Sequence, residues 1–221
     1  MVGVVDIFDE VSEDLRAERA RALLARYGGL LVGACVLVLI LVAGWQWNQA
    51  RADKENQRVS TLFVAATNLA SAANDDASRA AALAAFQQVE QQGHKNYTVL
   101  AKLNEAALKY EGGDLNGALV LWDQVAGDGN APIAIRDLSA LFWVQHQIDS
   151  GDPAQLTGRL SPLLAPSNMW HGLASEQMAL LLLRQGKTDQ ARDRLLQLEA
   201  DTTVPQNARS RAAALLASLS S

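Results

Sequence analysis

Three histidines, one cysteine and two glycine-rich stretches are the positions where this sequence has residue types suited to chemistry. Zinc sites need His or Cys ligands three or four positions apart on one helical face. His94, His146 and His171 have no such partner, and the His146/Asp149 pair is of a kind that chance supplies easily. Cys35 is single and lies in an apolar run, so neither an intramolecular disulfide nor a cysteine metal site is available. Gly112-Gly113-Asp114 lacks the Gly-Lys-Ser/Thr ending of a phosphate loop. Gly127-Asp128-Gly129-Asn130 lacks the remaining acidic positions of a calcium loop. Both read as turns. There is no Gly-x-Ser-x-Gly elbow, and the Asn96-Tyr97-Thr98 sequon is too common a pattern to carry weight. The expectation is a chain with no catalytic, cofactor-binding or metal-ligating residues, no enzyme activity and no small-molecule substrate.

The elements that would position any site are helices. Hydrophobic residues make up 49% of 221, with Ala and Leu dominant and only five Pro. β-branched residues are sparse outside one segment, so an all-α fold is expected. A net charge of -5 with no basic patch argues against nucleic acid.

From Tyr27 to Ala50 the chain has no charged residue, with Arg26 before it and Arg51 after it. As a helix this segment spans roughly 36 Å, against the ~30 Å of a hydrocarbon core. Tyr27 at one edge and Trp45 and Trp47 at the other suit the two membrane interfaces. A transmembrane helix over 27–50 is expected. The long acidic lead-in and the Trp45-Gln46-Trp47-Asn48 sequence argue against a cleaved signal peptide. Residues 1–26 form an arm with Val4, Phe8, Val11 and Leu15 at helical spacing; it orients the anchor or, alternatively, docks a partner. Arg16, Arg19, Arg21 and Arg26 slightly outweigh Arg51, Lys54 and Arg58. That bias puts the N-terminus in the cytoplasm and residues 52–221 outside it.

The remainder repeats itself. Tyr97, Ala101, Ala106, Gly113, Ala118, Trp122, Val125 and Pro132 align with Trp170, Ala174, Ala179, Gly186, Ala191, Leu195, Leu198 and Pro205, an offset of 73 residues. Half that period recurs: Ala82/Phe86/Val89 precede the Ala118/Trp122/Val125 set, and Leu156/Leu160/Leu163 follow it. Twelve residues before the first anchor of each set, at Ala82, Ala118, Leu156 and Ala191, sits another: Ala70, Ala106, Val144 or Ala179. Turn sequences separate them: Asn74-Asp75-Asp76, Gly112-Gly113-Asp114, Ser150-Gly151-Asp152-Pro153 and Gln185-Gly186-Lys187. Four helical hairpins of about 36 residues are expected over 59–221, after a juxtamembrane linker or helix start at 51–58, with Pro205–Leu219 capping the stack. Trp143 and Trp170 read as core aromatics, with exposed partner anchors as the alternative.

Such a unit resembles the tetratricopeptide repeat, although the usual Trp-Leu-Gly-Tyr signature is absent. The whole arrangement resembles the bacterial ancillary Sec-translocon subunit family. That arrangement is a charged arm, Tyr27-Gly28-Gly29, an anchor ending Gly44-Trp45-Gln46-Trp47, then divergent repeats. The resemblance implies a single-pass inner-membrane protein with a tetratricopeptide-like solenoid in the periplasm. Its partners would be translocon subunits, a periplasmic chaperone and unfolded clients. By analogy with such repeats, Leu103, Tyr110, Leu141 and Ile148 lie towards a partner groove; the same residues are ordinary core candidates. The alternative function is a scaffold or regulator in envelope assembly or cell division, acting through the arm.

Overall fold

Alanine- and leucine-rich segments punctuated by Gly, Asp and Pro fold as helices and turn at each punctuation mark. The computed structural model describes the backbone at 6–92 and 95–219, and side chains at 37–51, 54–92 and 96–219. Among these residues there are nine α-helices and no strand. They are α1 (Asp6–Ser71), α2 (Asp76–Gln91), α3 (Lys95–Glu111), α4 (Leu115–Gly127) and α5 (Ile133–Gln145). Then come α6 (Pro153–Leu160), a 3-10 turn (Ser161–Leu164), α7 (His171–Arg184), α8 (Thr188–Ala200) and α9 (Gln206–Ser218). The chain divides into two units, Met1–Gln57 and Arg58–Ser221.

In the first unit the described side chains lie on α1. Leu37, Val38, Leu39, Ile40, Leu41 and Val42 are exposed, as are Trp45 and Trp47. The Arg51 guanidinium lies 5.3 Å from the centre of the Trp47 ring. Side chains of the arm and of 27–36, Tyr27 and Cys35 included, fall outside the described residues. Over the described residues alone, no helix is long and apolar enough to cross a membrane.

The second unit is a run of hairpins: the end of α1 with α2, α3 with α4, α5 with α6, and α7 with α8. Each expected turn is where two helices meet. Gly113 and Gly186 have φ of +85° and +72°, a left-handed conformation that costs glycine nothing. Their turns close identically. The Asp114 and Lys187 amides donate to the Lys109 and Leu182 carbonyls, and the Gly113 and Gly186 amides to Tyr110 and Leu183. Asp75, Asp114 and Asp152 then cap the following helices through their carboxylates, whereas Lys187 gives α8 no side-chain cap. Pro132 and Pro205 precede α5 and α9 with nearly the same dihedrals, φ -54° in both. The sequence repeat is thus a repeat of backbone geometry.

The anchor column on the second helices is buried throughout: Ala82, Phe86, Val89; Ala118, Trp122, Val125; Leu156, Leu160, Leu163; Ala191, Leu195, Leu198. On the first helices Ala106, Val144 and Ala179 are fully buried. In the first hairpin that place falls to Ala66, one turn before the expected Ala70, which is only partly buried. Phe63 there meets Phe86 and Tyr97 at 5.9 and 5.6 Å between ring centres, tying α1, α2 and α3 together. Trp143 is buried; Trp170 is partly buried, its Nε1 donating to the Ala134 carbonyl at 2.8 Å.

Polar ties cross between hairpins at nearly the repeat period. Arg159 pairs with Asp123, and Arg184 donates to the Ile148 and Gly151 carbonyls at 2.6 Å each. Arg211 of the capping helix grips Glu176 of α7 through Nε at 2.8 Å and Nη2 at 2.6 Å.

Each buried anchor contributes the free energy of removing a large apolar side chain from water. Trp122→Ala should destabilise the second unit by about 3–5 kcal/mol. Chemical denaturation followed by circular dichroism measures it; an unchanged midpoint would mean that the column does not carry the stack.

Candidate functional site

The candidate groove residues come from two first helices and the turn after one of them. Leu103 and Tyr110 lie on α3, Leu141 on α5, and Ile148 just beyond α5. Leu141 is buried in the main core, and Leu103 and Ile148 are partly buried against it. Tyr110 alone offers much surface, at 46% exposure. Its ring stands edge-on to His146 at 4.1 Å, and His146 stacks on Trp122 at 4.5 Å. Trp122 in turn meets Phe142 at 5.9 Å. The α3–α5 region therefore carries an aromatic ladder whose outermost rung is Tyr110. Such a surface takes up apolar and aromatic side chains of a partner. It offers no nucleophile–base pair.

His146 and His171 are both engaged in hydrogen bonds within the fold. His146 Nδ1 donates to the Phe142 carbonyl at 2.8 Å, inside its own helical turn. His171 Nδ1 lies 2.9 Å from the Asn168 carbonyl and Nε2 lies 3.1 Å from Asp201 Oδ2. It thereby joins the start of α7 to the end of α8. Asp201 also accepts from the Thr203 hydroxyl at 2.6 Å and the Thr203 amide at 2.9 Å. Those bonds, with the one from His171, lower its carboxyl to about 2. His94 lies outside the described residues. Among the described residues no three His, Cys, Asp or Glu side chains gather as a metal site would require.

Sequence reasoning missed a cleft of about 540 Å³ between residues 166–173, which lead into α7, and residues 203–211. Met169, 69% exposed, lies in its wall with Trp170, His171, Val204, Pro205 and Arg211. The available signal was the Trp170/Pro205 correspondence with Tyr97/Pro132, which marks both walls as hairpin junctions.

A run of helical hairpins with a shared anchor column and an apolar aromatic surface defines a protein-interaction module of the tetratricopeptide class. The sequence matches the family described as tetratricopeptide repeat-like domain over residues 21–193, most of its length, and the chain belongs to that family. No curated protein and no solved structure matches it.

Leu141→Ala should cost about 2–5 kcal/mol, as for any buried leucine. Tyr110→Ala should cost about 1 kcal/mol, the size of its ring contacts. Equal losses in paired denaturation curves would remove Tyr110 from the surface. Asp201 is depressed below its usual 3.8, so its contribution is present above that value and is lost as pH falls towards 2. Acid titration followed by circular dichroism should show Asp201→Asn less stable than the parent at pH 5, with the difference vanishing near pH 2.

Proposed function

We propose that the chain is a single-pass bacterial inner-membrane protein, with its N-terminus in the cytoplasm and its repeats in the periplasm. There the repeats receive other proteins as an accessory of the Sec translocon and its periplasmic chaperones. The observation that carries the anchor is the exposure of six consecutive apolar residues, Leu37–Val42, on one helix. Consecutive positions cover every face, so no single packed neighbour shields them and a lipid phase suits them best. Trp45, Trp47 and the Arg51 cation on Trp47 follow at the spacing of an interfacial belt. The uncharged run begins at Tyr27, giving a length that crosses a bilayer. The translocon association rests on the resemblance of the whole arrangement.

In this reading the first helices of the hairpins present a receiving surface around Tyr110, with Leu103 and Ile148 at its base. The anchor acts by raising local concentration near a membrane-bound partner, so detached repeats bind more weakly than the full chain.

Two experiments test this. Protease added to spheroplasts should digest residues 52–221 and spare the arm; protection of the repeats would reverse the orientation. Pull-downs from solubilised membranes should recover translocon subunits or their chaperones with the full chain, and less with residues 52–221. Recovery by residues 1–51 alone would instead favour a regulator acting through the arm.

A further inference from the structure

We propose that Glu90 and Glu105 form a proton-dependent latch between the first and second hairpins, closed when the two carboxyls share a proton and loosened when both are charged. Glu105 sits on the face of α3 that also carries Ala101 and Leu108, both buried against α2 with Phe86 and Val89. A leucine or alanine would fit this face; Glu105 occupies it at only 4% exposure. Its Oε1 is buried without a hydrogen-bond donor, and so is Oε1 of Glu90 on α2.

The nearby cations do not neutralise the pair. Lys109 bonds Asp114 at 2.8 Å, and Lys102 bonds Gln124 at 3.3 Å, so both are drawn towards α4 and its cap. Arg79 of α2 is held by Asp76. The groups acting on Glu105 are therefore Glu90 from α2, opposed weakly by Lys109 and Lys102 on α3. Burial first, then the hydrogen bond with Glu90 and its charge, raise the Glu105 carboxyl to about 8.

A closed junction keeps its proton up to about pH 8, whereas an open one releases it near the usual 4.5. Opening therefore sheds a proton between these values. The closed state is favoured most in acid and loses ground as pH rises. The opening constant grows by up to about tenfold per pH unit within that window and levels off above it. The C-terminal end has no such device, because Glu176 is matched by Arg211.

The test is hydrogen exchange read by mass spectrometry on the full chain in detergent from pH 5 to 9, corrected for intrinsic rates. Protection of amides in 76–91 and 99–111 should fall by up to tenfold per pH unit to about pH 8, while that in 153–160 stays level. Glu105→Gln should abolish the slope. Glu90→Gln should keep a slope but bring its plateau to lower pH. A flat profile in the parent, an undiminished slope in Glu105→Gln, or an unmoved plateau in Glu90→Gln would each overturn the latch.

Discussion

The fold depends on one constraint: a two-helix hairpin of this composition cannot bury its own apolar stripe. Phe86, Trp122, Leu160 and Leu195 sit at the same place in successive hairpins, and all four are buried. Each needs apolar surface on both sides of its hairpin, so each hairpin is stable only as part of the series. At the C-terminal end the series closes on α9, where Ala208 and Ala212 pack against Leu195, Leu198 and Val204. Gly172 shows how tight that end is, since a Cβ there would lie 2.6 Å from Val204.

The hairpins were legible because their determinants are local. Gly at a left-handed turn, Asp before a helix and Pro at a junction act within a few residues. The anchors recur at a period that side-chain volume preserves even as identity drifts from Phe to Trp to Leu. What could not be read lies between repeats. Glu105 and Glu176 look like ordinary surface acids in a linear sequence, yet both are buried. Their fates diverge because Arg211 reaches Glu176 from 35 residues away while Glu105 is bonded by Glu90, with Lys109 and Lys102 acting on it through charge alone. The groove expectation shows the same limit. Leu103, Tyr110, Leu141 and Ile148 share helical spacing, but whether each faces core or solvent is set by the neighbouring hairpin, which periodicity does not encode.

A surface suited to binding follows from the same architecture. Backbone polar groups are consumed within helices, and many side-chain polar groups are spent on caps and on ties between hairpins. Asp123, Arg159, Arg184 and His171 hold one hairpin to the next or one helix to its neighbour. Aromatic and aliphatic surface is left exposed where Tyr110 overlies His146 and where Met169 borders its cleft. Residues of that kind gain from covering by another protein, and their contribution is area rather than reactivity.

The two ends of the series are unequal in a way that matters for such a module. Between α7 and α9 a buried carboxylate is answered by a bidentate guanidinium. Between α2 and α3 the Glu105 carboxyl interacts with that of Glu90, while Lys102 and Lys109 bond Gln124 and Asp114. Hairpins in a linear array interact chiefly with their neighbours, so weakness at one junction stays there instead of unfolding the whole. A proton lost from Glu105 would therefore free the first hairpin while leaving the Trp122 ladder assembled. In a stack of otherwise interchangeable units, this charge placement makes the junction nearest α1 the adjustable one.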